Sequence, residues 1–171
     1  PGRYWWASLA APVGYRHLGL LGAEFEAEFR LLRGYAEGAA ETETIAVSGS
    51  PAVVHVPADS GETVGGTMNC KAAWELTAGA GGLTDVRVTN DTTGETIRWH
   101  GSLTEGEKVV IDGVNETVET FEAGSETGVN AMSGIWDFYP FPGLEAGARN
   151  QVTVTGGDGA SLLVRWRAAY L

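Results

Sequence analysis

The chain has 171 residues, of which 43% are hydrophobic and 19% are charged, as in one globular domain or one domain with part of a second. Its 22 acidic residues outnumber its 11 lysines and arginines, so the formal net charge is −11, which argues against a nucleic-acid partner. No apolar run approaches the roughly 20 residues that span a bilayer, which argues against a membrane partner, and the single cysteine, Cys70, cannot form an internal disulfide.

The N-terminal segment is rich in aromatic residues and is the first candidate for an interface. Residues 3–6 are too apolar for an exposed free terminus, and residues 23–31 alternate apolar and polar side chains, which predicts one amphipathic strand. The chain opens at Pro1 without an initiator methionine, so we expect a truncated or processed N-terminus. The predicted interface residues are Arg3, Tyr4, Trp5, Trp6, Phe25 and Phe29.

A composition change follows this segment. Residues 36–44 are small and acidic and show no periodicity, which is typical of a linker. We therefore predict a domain boundary there: residues 1–43 form the end of a preceding domain plus the linker, and residues 44–171 form a second domain.

Short alternating segments separated by glycine-rich turns occupy the second domain, and no convincing helix is present. They predict an all-β fold, an antiparallel sandwich or jelly roll. The predicted strands are Thr44–Val47, Ala52–Val56, Thr67–Leu76, Leu83–Thr89, Thr96–His100, Lys108–Val114, Thr117–Glu122, Gly134–Phe138, Gln151–Thr155 and Ser161–Tyr170. The predicted core residues are Met68, Trp74, Ile97, Trp99, Ile111, Val152, Val154, Leu162, Val164 and Trp166.

No motif for chemistry is present in the sequence. His17, His55 and His100 lie far apart, and no nucleophile elbow, zinc-helix motif or phosphate-binding loop occurs. We predict no catalytic, cofactor-binding or metal-binding residue, and no enzyme. The tryptophans leave two interpretations open: Trp74, Trp99, Trp136 and Trp166 fill the core, or they form a platform for stacking on sugar rings.

An ordered series of segments resembles a known family. Val86–Ile97 contains Asn90 and Gly94, Leu103–Asp112 follows, Pro142-Gly143 and Asn150 come next, and the chain closes on the basic and aromatic strand Leu163–Leu171. This series resembles the C-terminal domain of the distal tail proteins of siphophages over about residues 44–171. Residues 1–36 are similar to the end of the N-terminal domain of that family.

The resemblance implies a galectin-like β-sandwich in a structural protein of the virion, at the phage tail tip or baseplate. It implies a self-associated ring, commonly a hexamer, that joins the tail tube protein to the hub and the receptor-binding apparatus, and no cofactor. We expect residues 1–36 to drive association and residues 44–171 alone to be a soluble monomer. The alternative is a carbohydrate-binding module on a phage tail or on a secreted protein.

Overall fold

The computed structural model describes residues 2–3, 5, 7–9, 14–17, 23–27, 29–31, 34–135 and 141–171. These residues form fifteen β-strands and one short 3-10 helix, Met132–Gly134. The strands are β1 (Ala7–Leu9), β2 (Gly14–His17), β3 (Ala23–Glu26), β4 (Phe29–Leu31), β5 (Ala36–Ala46), β6 (Ala52–Val56), β7 (Cys70–Thr77), β8 (Leu83–Asn90), β9 (Glu95–Leu103), β10 (Lys108–Asp112), β11 (Thr117–Phe121), β12 (Val129–Asn130), β13 (Gly143–Leu144), β14 (Asn150–Thr155) and β15 (Ser161–Tyr170).

Two antiparallel sheets enclose the core. The larger sheet has the strand order β12-β11-β10-β7-β15-β5, and β13 also pairs with β7. The smaller sheet has the order β6-β14-β8-β9. Two separate two-stranded sheets, β1 with β4 and β2 with β3, precede this sandwich in the chain. The architecture confirms the predicted all-β sandwich.

Alternation along the strands determines which side chains reach the core. In β15, Leu162, Val164 and Trp166 are buried, whereas Arg165 and Arg167, on either side of Trp166, are exposed. Because successive side chains of a strand point to opposite faces, a single register fixes the core face of the whole strand. Every predicted core residue is buried except Met68, which is half-buried and packs against the core.

Most of the predicted strands are present with ends shifted by one to three residues. Ala52–Val56 and Ser161–Tyr170 have the predicted bounds, and the strands predicted from residues 67, 83, 96, 108, 117 and 151 onward are found as β7, β8, β9, β10, β11 and β14. The prediction over Gly134–Phe138 is not met at its start, because Gly134 ends the 3-10 helix. Residues 136–138 lie outside the described residues.

The prediction that residues 36–44 lack regular structure is wrong. They belong to the eleven-residue strand β5, which pairs with β15 from Ala36 opposite Tyr170 to Ala46 opposite Ser161. The sequence shows no alternation of apolar and polar residues here, because glutamates take the core-facing positions of this edge strand. Glu41 lies opposite Trp166 and Glu43 lies opposite Val164, and both of these partners are buried. The division of the chain into two domains stays a prediction.

The single strand predicted over residues 23–31 is two strands. Ala23–Glu26 pairs with Gly14–His17, whereas Phe29–Leu31 pairs with Ala7–Leu9. A strand can keep period-2 alternation and still change its partner, and alternation alone does not reveal the change.

Candidate functional site

The predicted interface residues of the N-terminal segment are only partly described. The Arg3 guanidinium lies 4.3 Å from the centre of the Tyr170 ring, so this end of the chain contacts the last strand of the sandwich. Trp5 is 50% exposed. Tyr4 and Trp6 lie outside the described residues, as do the side chains of Phe25 and Phe29, whose backbones belong to β3 and β4.

Three residues of the family-like segments meet in a buried polar cluster. The Asn90 side-chain amide, at the end of β8, donates to the Gly143 carbonyl over 2.6 Å and to Asn150 Oδ1 over 2.9 Å. Asn150 Oδ1 also accepts the Glu145 amide over 2.8 Å, and both asparagines are fully buried. A buried amide is stable only when its polar atoms are paired, so this cluster fixes the 141–150 loop against the smaller sheet.

The same loop is bonded from the larger sheet and from β9. The Trp74 indole donates to the Pro142 carbonyl over 2.8 Å, and the Gly143 amide donates to Glu95 Oε2 over 2.8 Å. Gly143 also has no room for a side chain, because a Cβ there would lie 2.7 Å from the Cys70 carbonyl oxygen. The Pro142-Gly143 element therefore has a structural role, as the point where both sheets hold one loop.

Three of the four tryptophans that could have formed a sugar platform are core residues. Trp74, Trp99 and Trp166 are 0%, 5% and 6% exposed, so none of them offers a ring face to a sugar. Trp136 lies outside the described residues. Of the two interpretations of these tryptophans, core packing is correct for the three that the structure describes.

The candidate groups for chemistry are dispersed over the sandwich. His55 lies in β6, and the backbone of His17 lies in β2. His100 Nδ1 lies 2.8 Å from Asp85 Oδ1, and Asp85 also accepts a hydrogen bond from Arg98 Nε over 2.9 Å. This hydrogen bond, together with the Arg98 charge, lowers the pKa of the Asp85 carboxyl.

Burial raises the pKa of the Cys70 thiol to about 11, so the thiol is protonated at neutral pH. Within the described ranges, no group of three or more His, Cys, Asp or Glu residues could hold a metal ion.

Edge strand β5 borders two concave regions. We name the first the β5 cleft: it has a volume of about 480 Å³ and lies on the core-facing side of the strand. It is lined by Glu41, Thr42, Glu43, Pro57, Glu62, Thr63 and Trp166. The second is a wider groove of about 710 Å³ that includes Lys71, Asp112 and Arg165. Both are surfaces of mixed polarity, and neither brings a histidine to a pair of carboxylates.

The β5 cleft and the asparagine cluster were not predicted as sites from the sequence. Asn90 and Asn150 are 60 residues apart, and only their places in the family-like segments singled them out. Glu41 and Glu43 fell in the region interpreted as a linker, so no sequence pattern connected them with Trp166.

Comparison with known proteins identifies one family. The family model described as "Siphovirus-type tail component, C-terminal domain" matches residues 65–170. This range includes Asn90, Gly143, Asn150 and Trp74, which form the contacts of the 141–150 loop. Neither the curated proteins nor the solved structures contain a significant match. Among the described residues, no helix has the length and apolar character needed to cross a membrane.

Proposed function

Because the chain belongs to the siphovirus-type tail component family, and is therefore a structural protein of the virion tail, we propose that it acts at the tail tip or baseplate. There it joins the tail tube protein to the hub and to the receptor-binding apparatus, in the manner of a distal tail protein, through a galectin-like sandwich. The observation that carries the proposal is the family match over the segment whose Asn90, Gly143 and Asn150 form the central polar cluster. The protein's role is structural, and it catalyses no reaction.

Self-association through the N-terminal segment is the second part of the proposal. Trp5 is half exposed, and the neighbouring Arg3 lies against Tyr170, so this segment lies at the sandwich surface where it could meet another subunit. Exposed aromatic side chains are enriched at interfaces because they bury much apolar area with little loss of entropy. We propose that Arg3, Tyr4, Trp5, Trp6, Phe25 and Phe29 contribute to a closed ring of subunits.

Electron microscopy of labelled virions tests the position in the tail. Gold-labelled antibodies against this chain should decorate the end of the tail that is distal to the capsid. Labelling along the whole tube would contradict the tail-tip position and leave the family assignment intact.

Light scattering tests the ring. A hexamer of 18.0-kDa chains has a mass of about 108 kDa. The Trp5→Ala substitution should shift the chain towards smaller species, whereas Val53→Ala, at a 58% exposed valine on β6, should not. A monomer at high protein concentration would contradict self-association.

A further inference from the structure

Strand β5 forms a long open edge of the larger sheet. Its eleven residues pair with β15 on one side, and no described strand pairs with the other side. Ala39–Thr42, Thr44 and Ala46 are exposed. Open edges of natural sheets are usually short, blocked by proline or covered, because their free N–H and C=O groups can pair with another chain.

The ladder between β5 and β15 determines which backbone groups are open. The Val47 amide donates to the Ala160 carbonyl over 2.9 Å, next to the pairing of Ala46 with Ser161. Since alternate residues of an antiparallel strand bond the same partner strand, the backbone groups of residues 41, 43 and 45 point to β15. The groups between them point away and form no hydrogen bond with the described residues. We name these N–H and C=O groups the β5 edge: they belong to Ala40, Thr42, Thr44 and Ala46.

The other described edges of the sandwich are shorter or covered. In the smaller sheet, β6 has five residues between Pro51 and Pro57, and β9 is bridged at Trp99 by Ile135. At the far side of the larger sheet, β12 has two residues. Between residues 40 and 46, β5 contains no proline, no lysine and no bulge. Among the described strands, β5 therefore has the edge best suited to accept an additional strand.

Charge determines which strand fits the β5 edge. Glu41 and Glu43 lie on the core-facing side of β5, and Glu62 lines the β5 cleft with them. Arg149 bonds two backbone carbonyls of residues 57–58 and offsets only part of this negative charge. Opposite charges on directly paired residues of two strands stabilise the pairing, and like charges destabilise it. A second copy of β5 would oppose carboxylates with carboxylates, whereas lysine or arginine at every second position is complementary.

We propose that the β5 edge binds an extended segment of another tail protein, which adds to the larger sheet as an antiparallel strand. Lysine or arginine of that segment lies opposite Glu41 and Glu43. The residues between these cations exchange backbone hydrogen bonds with the β5 edge, as all neighbours in this antiparallel sheet do. The inference rests on the protein's place in the tail and does not require the ring or the tail-tip position.

A blocked heptapeptide, Thr-Lys-Thr-Lys-Thr-Lys-Thr, is the probe, because it carries a cation at every second position between residues that favour strands. Its isomer Lys-Lys-Lys-Thr-Thr-Thr-Thr has the same charge without the alternation. A third peptide carries N-methyl groups on the backbone nitrogens of its threonines, which removes donors and keeps the charge. Both controls are needed because a chain of net charge −11 attracts any cationic peptide.

Amide hydrogen exchange of the full 171-residue chain, followed by NMR, measures the pairing. In the free protein, the amides of Thr42 and Thr44 should exchange faster than those of Glu41, Glu43 and Ile45. We expect the alternating peptide to bind with a dissociation constant of about 1 mM and, at saturation, to slow exchange at Thr42 and Thr44 by roughly tenfold or more. The isomer and the N-methylated peptide should leave these two rates nearly unchanged.

Two variants separate backbone pairing from charge. Thr42→Pro removes one open N–H and leaves the bonds to β15 in place, because an edge strand tolerates proline where its N–H faces solvent. It should weaken binding of the alternating peptide by roughly tenfold or more, whereas Thr42→Ala keeps the N–H and should bind as the unchanged chain does. Glu41→Gln, at an exposed position, should weaken binding by roughly threefold and provides the test if Thr42→Pro does not fold. Glu122→Gln, at an exposed position outside β5, is its matched control.

Three outcomes would overturn the proposal. Equal slowing of exchange by the alternating peptide and its isomer would show a diffuse attraction of charges rather than strand addition. Protection of Thr42 and Thr44 in the free chain that rises with protein concentration would identify a second copy as the occupant. No protection with any peptide would show that the β5 edge accepts no strand. Each outcome leaves the family assignment and the tail-tip proposal unaffected.

Discussion

The side-chain amide of Asn90 donates to the side-chain oxygen of Asn150 over 2.9 Å, although the two residues are 60 positions apart in the chain. Asn90 ends β8 and Asn150 begins β14, and the two strands are neighbours in the smaller sheet. The bond therefore joins two strand ends where they meet the 141–150 loop, and both asparagines also bond the backbone of that loop. We therefore expect substitutions of Asn90 or Asn150 to lower the free energy of unfolding of the sandwich.

Asn90→Ala should lower the free energy of unfolding by about 1–3 kcal/mol, because it leaves the Gly143 carbonyl and Asn150 Oδ1 with one donor fewer in a buried site. Asn150→Ala should have a similar effect, and the double variant should cost less than the sum, since each substitution breaks the same bond. Urea denaturation of the four proteins measures the coupling. Glu105→Ala, at an exposed position in a turn, is the control and should change stability by less than about 0.5 kcal/mol. Strict additivity would contradict a shared cluster.

Trp74 and Trp166 allow a comparison of two buried indoles that differ in hydrogen bonding. The Trp74 indole donates to the Pro142 carbonyl over 2.8 Å, whereas the Trp166 indole has no partner within the described chain. Trp74→Phe should therefore destabilise the protein more than Trp166→Phe, because only the first leaves a buried carbonyl unpaired. Either tryptophan changed to alanine should cost about 3–5 kcal/mol, since both fill the core.

Thermal or urea unfolding of the two phenylalanine variants measures the difference. An equal loss of stability in both would show that the indole bond to Pro142 contributes nothing net.

The sandwich is largely predictable from the sequence, and the loop contacts are not. The alternation of apolar and polar residues predicted both ends of β15 correctly. It also predicted its buried face, since Leu162, Val164 and Trp166 are buried while Arg165 and Arg167 are exposed. It failed for β5, because Glu41 and Glu43 occupy positions on the core-facing side, where the edge of the sheet leaves a cleft instead of a packed core. No periodic signal relates Asn90 to Asn150, since the contact depends on the pairing of β8 with β14. Their positions in the segments that resemble distal tail proteins were the available signal.

The Asp85 carboxylate should contribute to the dependence of stability on pH. Its pKa is lowered from 3.8, first by the hydrogen bond from Arg98, and then by the charges of Arg98 and His100. A carboxyl with a lowered pKa in the folded state stabilises the protein fully above its unfolded pKa, near 3.8, and the contribution is lost as the pH falls through the lower folded value. Stability should thus fall less steeply below pH 4 in Asp85→Asn than in the unchanged chain.

Asparagine is the suitable replacement because Asp85 has a φ of 53°, in the left-handed region that asparagine tolerates well. Melting temperatures between pH 7 and pH 2.5 measure the effect, with Asp59→Asn, at an exposed position outside any ion pair of the described residues, as the control. Parallel pH profiles for Asp85→Asn and the unchanged chain would contradict a lowered pKa.

The Cys70 thiol should be unreactive in the folded protein. It is 6% exposed, and burial raises its pKa to about 11, so the thiolate that attacks alkylating reagents is scarce at pH 8. Iodoacetamide at pH 8 should modify the native chain far more slowly than the same chain in urea, as measured by mass spectrometry. Comparable rates in both conditions would show that β7 opens readily at its first residue.

The pairing of β5 with β15 allows a prediction of which fragment of the chain folds on its own. Residues 44–171 lack Ala36–Glu43, and with them most of the pairing between β5 and β15, including the positions opposite Trp166 and Val164. That fragment exposes a long edge of β15 and one side of the core, so it should aggregate or lose cooperative unfolding. Residues 34–171 retain the whole strand and should fold as a stable sandwich. The soluble monomer expected for residues 44–171 is therefore predicted for the longer fragment instead.

Circular dichroism, urea denaturation and light scattering on the two fragments at equal concentration decide between these expectations. Replacing Glu41 and Glu43 with glutamine in residues 34–171 is a control, because it removes charge from β5 without removing backbone pairing. We expect that variant to remain folded and monomeric. A cooperative, monomeric fragment 44–171 would show that β5 is dispensable for the sandwich, and would support a domain boundary near residue 43 rather than before Ala36.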